Sequence, residues 1–106
     1  MYTLAASELT GGAKRVTFQA DTEIIEIDLP IDIKVTPGNY DVSLTATEPI
    51  PTDNTVIIMH GIVYHVNGGV TLISCGGLLV RMPTTTVCVN DNVYISITHL
   101  GVPETQ

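Results

Sequence analysis

Residues 25–35 read IEIDLPIDIKV, and the alternation runs without a break. Ile25, Ile27, Leu29, Ile31, Ile33 and Val35 fall on one side, and Glu26, Asp28, Pro30, Asp32 and Lys34 on the other. Successive side chains of a strand point to opposite faces, so this pattern predicts a long half-buried strand. A helix would scatter the same isoleucines around its circumference. Pro30 cannot donate a ladder hydrogen bond, which predicts a sheet edge, a bend or a bulge there.

The same two-residue period extends in both directions. Pro37-Gly38-Asn39 reads as a turn, and Tyr40, Val42, Leu44 and Ala46 then alternate with Asp41, Ser43, Thr45 and Thr47. This predicts a hairpin between 25–35 and 40–47. Upstream, Gly11-Gly12 leads into a first strand at 15–20. Downstream, 48–54 (EPIPTDN) is a loop, and 55–66 is an apolar run with Gly61 inside it. Its β-branched residues and its glycine favour a strand. Asn67-Gly68-Gly69 is a hairpin signal, and 70–74 returns. Gly76-Gly77 breaks or bends the chain, 78–82 continues to Pro83, and Val93, Ile95 and Ile97 mark a last strand. Seven or eight short strands without a helix predict an all-β fold, a small antiparallel barrel or sandwich.

Composition sets the outer limits. The chain has 106 residues, room for one domain, expected over 1–106 with its core at about 14–100 and loose termini. Hydrophobic residues make up 44% and charged ones 14%, against the pattern of disorder. The net charge of −7 argues against binding nucleic acid through phosphates and against anionic membranes. No stretch has the roughly 18 apolar residues of a membrane span. Met1–Arg15 lacks the basic start and apolar run of a secretory signal. Two cysteines, Cys75 and Cys88, do not make a disulfide scaffold. A cytosolic or nuclear protein with reduced thiols is expected.

Catalytic constellations are weak. His60 and His65 are five apart, which on a regular strand sends them to opposite faces; sharing a metal would need a bulge. The cysteines fit no zinc spacing and read as buried thiols. Glu26 and Asp28 share a strand face at about 6.5–7 Å, a spacing suited to an inverting glycosidase pair. Nothing indicates a cleft, and a solvated strand face is the simpler reading. Ser74 lacks a nucleophile elbow, and Gly76-Gly77 lacks the rest of a phosphate loop. Tyr40 belongs to the apolar row, whereas Tyr94 lies opposite Val93, Ile95 and Ile97 and is expected outside. One exposed tyrosine and little positive charge make a poor platform for single-stranded nucleic acid. No enzyme, cofactor or metal is expected.

Two blocks in the second half carry more information. Residues 56–66 read VIIMHGIVYHV and 74–82 read SCGGLLVRM. Met59, Gly61, Val63 and Tyr64, then Gly76, Gly77, Leu78, Leu79, Arg81 and Met82, then Val93 and Tyr94, resemble in this order subunit 8 of DNA-directed RNA polymerase. That family is the small subunit shared by nuclear polymerases I, II and III, with a shorter archaeal relative. The first half agrees more loosely, from Lys14-Arg15-Val16 through 25–35 to 40–47, so the resemblance covers about residues 14–100. It departs at the short loop 48–54, in the trimmed segment after Met82, at Cys75, His60 and Val80, and at Thr98-His99, where the family carries a basic pair.

The resemblance implies an eight-stranded antiparallel barrel of OB-like kind. It also implies a non-catalytic structural subunit docked on the largest polymerase subunit, alongside the other polymerase subunits. Nucleic acid would be met only through the complex, with no membrane and no small-molecule substrate. The location would be the nucleus in a eukaryote, or the cytoplasm for an archaeal or viral protein. Partner-binding residues by this resemblance are Gly76, Gly77, Leu78, Leu79, Arg81, Met59 and Tyr64. Leu78 and Leu79 are consecutive on a strand, so one can fill the barrel while the other faces outward beside Arg81. Two other classes are the alternatives: a free-standing OB-like binder of single strands, which would need a basic stripe and exposed aromatics that this sequence lacks, and an unrelated β-domain used in assembly, which fits the acidic composition and silent chemistry equally well.

Overall fold

The computed structural model describes residues 1–83 and 86–101. It is a closed antiparallel barrel of eight strands, and no helix occurs among the described residues. The strands are β1 (Tyr2–Thr10), β2 (Ala13–Ala20), β3 (Glu23–Pro30), β4 (Asn39–Thr45), β5 (Thr55–Asn67), β6 (Val70–Cys75), β7 (Leu78–Pro83) and β8 (Asn92–Gly101). Around the barrel they follow the order β1-β2-β3-β7-β6-β5-β8-β4. The all-β, small-barrel expectation holds. The C-terminal tail expected to be loose lies, from residue 102 on, outside the described residues.

The core forms where the alternating rows of seven strands meet. Val16 and Phe18 come from β2, Ile25, Ile27 and Leu29 from β3, and Tyr40 from β4. Met59 and Val63 of β5, Ile73 and Cys75 of β6, Val80 and Met82 of β7, and Val93, Ile95 and Ile97 of β8 complete it. Each fully buried side chain of this size contributes about 1.5–3 kcal/mol. Phe18 meets Tyr40 edge-on at 5.2 Å between ring centroids. The Tyr40 hydroxyl is satisfied by Thr36, donating to its carbonyl and accepting from its amide at 3.1 Å.

Three features differ from the sequence expectation. First, β3 stops at Pro30, not at Val35. Pro30 is the last residue paired with β2, opposite Ala13, and the chain then turns, with the Ile33 amide donating to the Pro30 carbonyl at 3.1 Å. Ile33 and Val35 still pack against the core, but from a loop. Second, the hairpin between this strand and 40–47 does not form. β3 pairs with β2 and β7, and β4 pairs with β8 and β1. The turn at 37–39 therefore carries the chain to the far side of the barrel. Third, β1 precedes the expected first strand. It pairs with β2 from Thr3↔Gln19 to Thr10↔Ala13, with a bulge between Leu4 and Ala6.

Two strands set the geometry of the remainder. β5 pairs with β8 over Thr55–Ile62 and with β6 over Ile62–Asn67, so it turns the corner between two parts of the barrel. At the corner is Gly61, where a Cβ would lie 2.6 Å from Cys75 Sγ, 2.8 Å from Ile73 Cγ2 and 2.8 Å from the Ser74 carbonyl. Only glycine fits there. β8 lies between β5 and β4 and is paired along both edges.

Candidate interaction surface

The outer face of β5, β6 and β7 is where the structure gathers exposed apolar side chains. Ile62 opposes Ser74, which opposes Leu79; His65 opposes Leu72, which opposes Arg81. Ile62, Tyr64 and Leu79 are 48%, 45% and 42% exposed, unusual values for large apolar groups on one patch. Tyr64 follows the outward row of His60 and Ile62 and sits at a bulge. Val63 pairs with Ile73 and His65 with Leu72, so Tyr64 is an extra residue without a partner. With Leu72, Leu79, Val80, Arg15, Glu26 and Arg81 it lines a shallow groove of about 260 Å³.

The far wall of the groove is electrostatic. Arg15 holds Asp28 through two contacts, Nε to Oδ1 at 2.9 Å and Nη2 to Oδ2 at 3.3 Å. This hydrogen-bonded carboxylate raises the Arg15 pKa further, fixing the guanidinium charge. The same Oδ2 accepts the Leu79 amide at 3.3 Å. Strand pairing between β3 and β7 covers only Glu26↔Arg81 and Ile27↔Val80, and the Asp28 carboxylate continues the seam beyond it. Arg81 is freer: Nε lies 3.9 Å from Glu26 Oε1 and its side chain is 61% exposed. Its remaining donors face solvent at the edge of the apolar patch. Apolar and tyrosine side chains beside an exposed arginine are the composition of a protein-binding surface.

Of the residues singled out by resemblance, Tyr64, Leu79 and Arg81 meet in this groove. Leu78 turns the other way and packs against the core, as consecutive strand residues must. Met59 is buried in the barrel and presents nothing outward. Gly76 and Gly77 form the two-residue turn between β6 and β7, with φ of 61° and 94°. A turn with positive φ at both positions is the type that matches strand twist, and it favours glycine. Among the described residues nothing lies within 4 Å of a Cβ built at either one. Leu72, Arg15 and Glu26, which also line the groove, were not among the partner-binding residues that the resemblance implies. Their membership depends on which strands pair, and no local pattern signals that.

Other candidates resolve differently. Glu26 and Asp28 do share a face, but Asp28 is only 7% exposed and is held by Arg15 and the Leu79 amide, so the solvated-face reading fails for it. The bulge in β5 leaves His60 and His65 both exposed, correcting the expectation of opposite faces. His60 stacks on half-buried Tyr94 at 4.7 Å and 17°. Cys75 is buried, and burial pushes its thiol pKa up; Cys88, expected buried, is exposed. Among the described residues no three or more His, Cys, Asp or Glu side chains form a metal-binding group.

No protein-family model matches this chain, and no curated protein matches it significantly.

Proposed function

We propose that this chain is a non-catalytic structural subunit of a multisubunit DNA-directed RNA polymerase, docking on the largest subunit through the outer face of β5–β7. The observation that carries the reading is a convergence. The blocks that resemble polymerase subunit 8 lie on β5, the β6–β7 turn and β7, and their outward side chains Tyr64, Leu79 and Arg81 line one groove. The net charge of −7 also favours docking on protein over binding free nucleic acid.

The test is purification of the tagged full chain from its native source, with its companions identified. The two largest polymerase subunits should co-purify in stoichiometric amount. Arg81→Ala and Leu79→Ala should reduce that recovery. Both positions are exposed and off the core, so the unfolding free energy should stay within about 0.5 kcal/mol of the parent. Recovery of the chain alone, or only with copies of itself, would refute the reading. Gly77→Val is the wrong probe, because φ of 94° makes it a folding variant.

A further inference from the structure

Among the strand margins left without a neighbour among the described residues, that of β1 is the one whose side chains are all exposed. β1 pairs with β4 only at Tyr2↔Tyr40 and Thr3↔Asn39, followed by one bond from the Leu4 amide to the Gly38 carbonyl at 3.2 Å. The bulge between Leu4 and Ala6 bends the strand at that point, and pairing with β4 ends. From Ala6 to Thr10 the strand continues against β2 alone, and all of these side chains are exposed. Every second peptide group along the outer margin points its N–H and C=O away from the sheet. Such a margin accepts an extended strand, and proteins blunt it with charged residues, proline, a bulge or a very short strand; in β1 the bulge precedes the open stretch and Glu8 is the one charge on it. β1 has nine residues and contains neither lysine nor proline.

The side chains say more about the occupant. Glu8 lies directly opposite Arg15 and interacts with its charge at a distance, but the guanidinium hydrogen-bonds both oxygens of Asp28. Glu8 has no ion pair among the described residues, and it is the only charge on β1. Leu9, 68% exposed, lies on the other face. A second copy of this chain would bring another −7 of net charge to the contact, which opposes self-pairing. We propose that the margin of β1 from Ala6 to Thr10 receives an extended segment of a partner protein, with a basic residue beside Glu8 and an apolar one beside Leu9. This margin is the outer edge of β1 and is not part of the groove on β5–β7, although Arg15 lies between the two, and the proposal stands whichever complex the protein joins.

The test uses the isotope-labelled full chain and three capped peptides: alternating valine and lysine, alternating valine and glutamate, and the valine–lysine peptide N-methylated at every second residue. The valine–lysine peptide should shift the amide signals of Ala6–Thr10 and slow exchange at alternate positions. The glutamate peptide should bind about two- to fivefold more weakly, and the N-methylated peptide not at all. Glu8→Lys should reverse the charge preference. The proposal is overturned if β1 amides stay unmoved, if N-methylation changes nothing, or if the shifts centre on Tyr64 and Leu79. It is also overturned if β1 becomes protected in the chain alone as concentration rises, which would identify a second copy as the occupant.

Discussion

Gly61→Ala puts the corner of the barrel to a test in which the sign of the effect is decisive. In an unobstructed strand, replacing glycine by alanine stabilises by about 0.5–1 kcal/mol, because the unfolded chain has less freedom to lose. Here the new methyl would sit 2.6 Å from Cys75 Sγ, 2.8 Å from Ile73 Cγ2 and 2.8 Å from the Ser74 carbonyl oxygen. Ordinary contact begins near 3.5 Å, so all three are too close by more than half an ångström. Two of the atoms belong to buried side chains and the third is backbone of the paired strand, so no flexible end can swing away. Overpacking of this kind costs about 1–3 kcal/mol. The net loss is then about 1–2 kcal/mol, or roughly 5–15 °C in Tm for a domain of this size. Urea and thermal unfolding of the pure chain measure it. Cys75→Ala removes the nearest atom, so the double variant should be less destabilised than the two single losses added together. A Gly61→Ala protein as stable as the parent, or more so, would refute the close-approach argument.

Three further outcomes are expected. Thr71 is fully buried and its Oγ1 has no hydrogen-bond partner among the described residues, so Thr71→Val should stabilise by about 1 kcal/mol in urea unfolding. Burial holds the Cys75 thiol pKa above its unfolded value. The unfolded chain therefore loses that proton first, and stability should fall as pH rises above the unfolded thiol pKa of about 8.5; Cys75→Ala should flatten this slope, while alkylation of the native chain should label exposed Cys88 well before Cys75. Asp28→Ala strands both the Arg15 guanidinium and the Leu79 amide. It should lower Tm and speed hydrogen exchange at Leu79, and a variant with parental exchange there would show that the seam does not depend on this carboxylate.

The parts of the fold that were legible in the sequence are those whose partners are local. The hairpin at Asn67-Gly68-Gly69 could be read because the turn residues and the flanking strands agree, and the structure pairs β5 with β6; Gly76-Gly77, readable only as a break or bend, is the turn of a second hairpin, between β6 and β7. The hairpin read at Pro37-Gly38-Asn39 failed because a turn signal fixes only that the chain changes direction. β3 and β4 find better partners in β7 and β8, whose apolar rows complete the core. The isoleucines past Pro30 mimic a longer strand, since a loop that packs Ile33 and Val35 on the core needs apolar residues too. β1 was invisible because most of its side chains are exposed on both faces, leaving no alternation to detect. The candidate surface was legible at Leu79, Arg81 and Tyr64 through resemblance and the two-residue period. Asp28 and Arg15 were not, because their meeting depends on register between two strands.

The place of β8 has a consequence for how the chain is made. Its neighbours β4 and β5 cannot pair with each other, since β8 fills the gap with Val93, Ile95 and Ile97 turned into the core. The meanders β1-β2-β3 and β5-β6-β7 can assemble as they leave the ribosome, because each pairing spans a short turn. β4 must wait. Until residues 92–101 have been synthesised, it has only the two-residue contact with β1, and the apolar rows of β4 and β5 stand open to solvent. Closure is therefore a late, non-local event, of the kind that slows folding and leaves a nascent chain dependent on protection from aggregation until its final strand arrives.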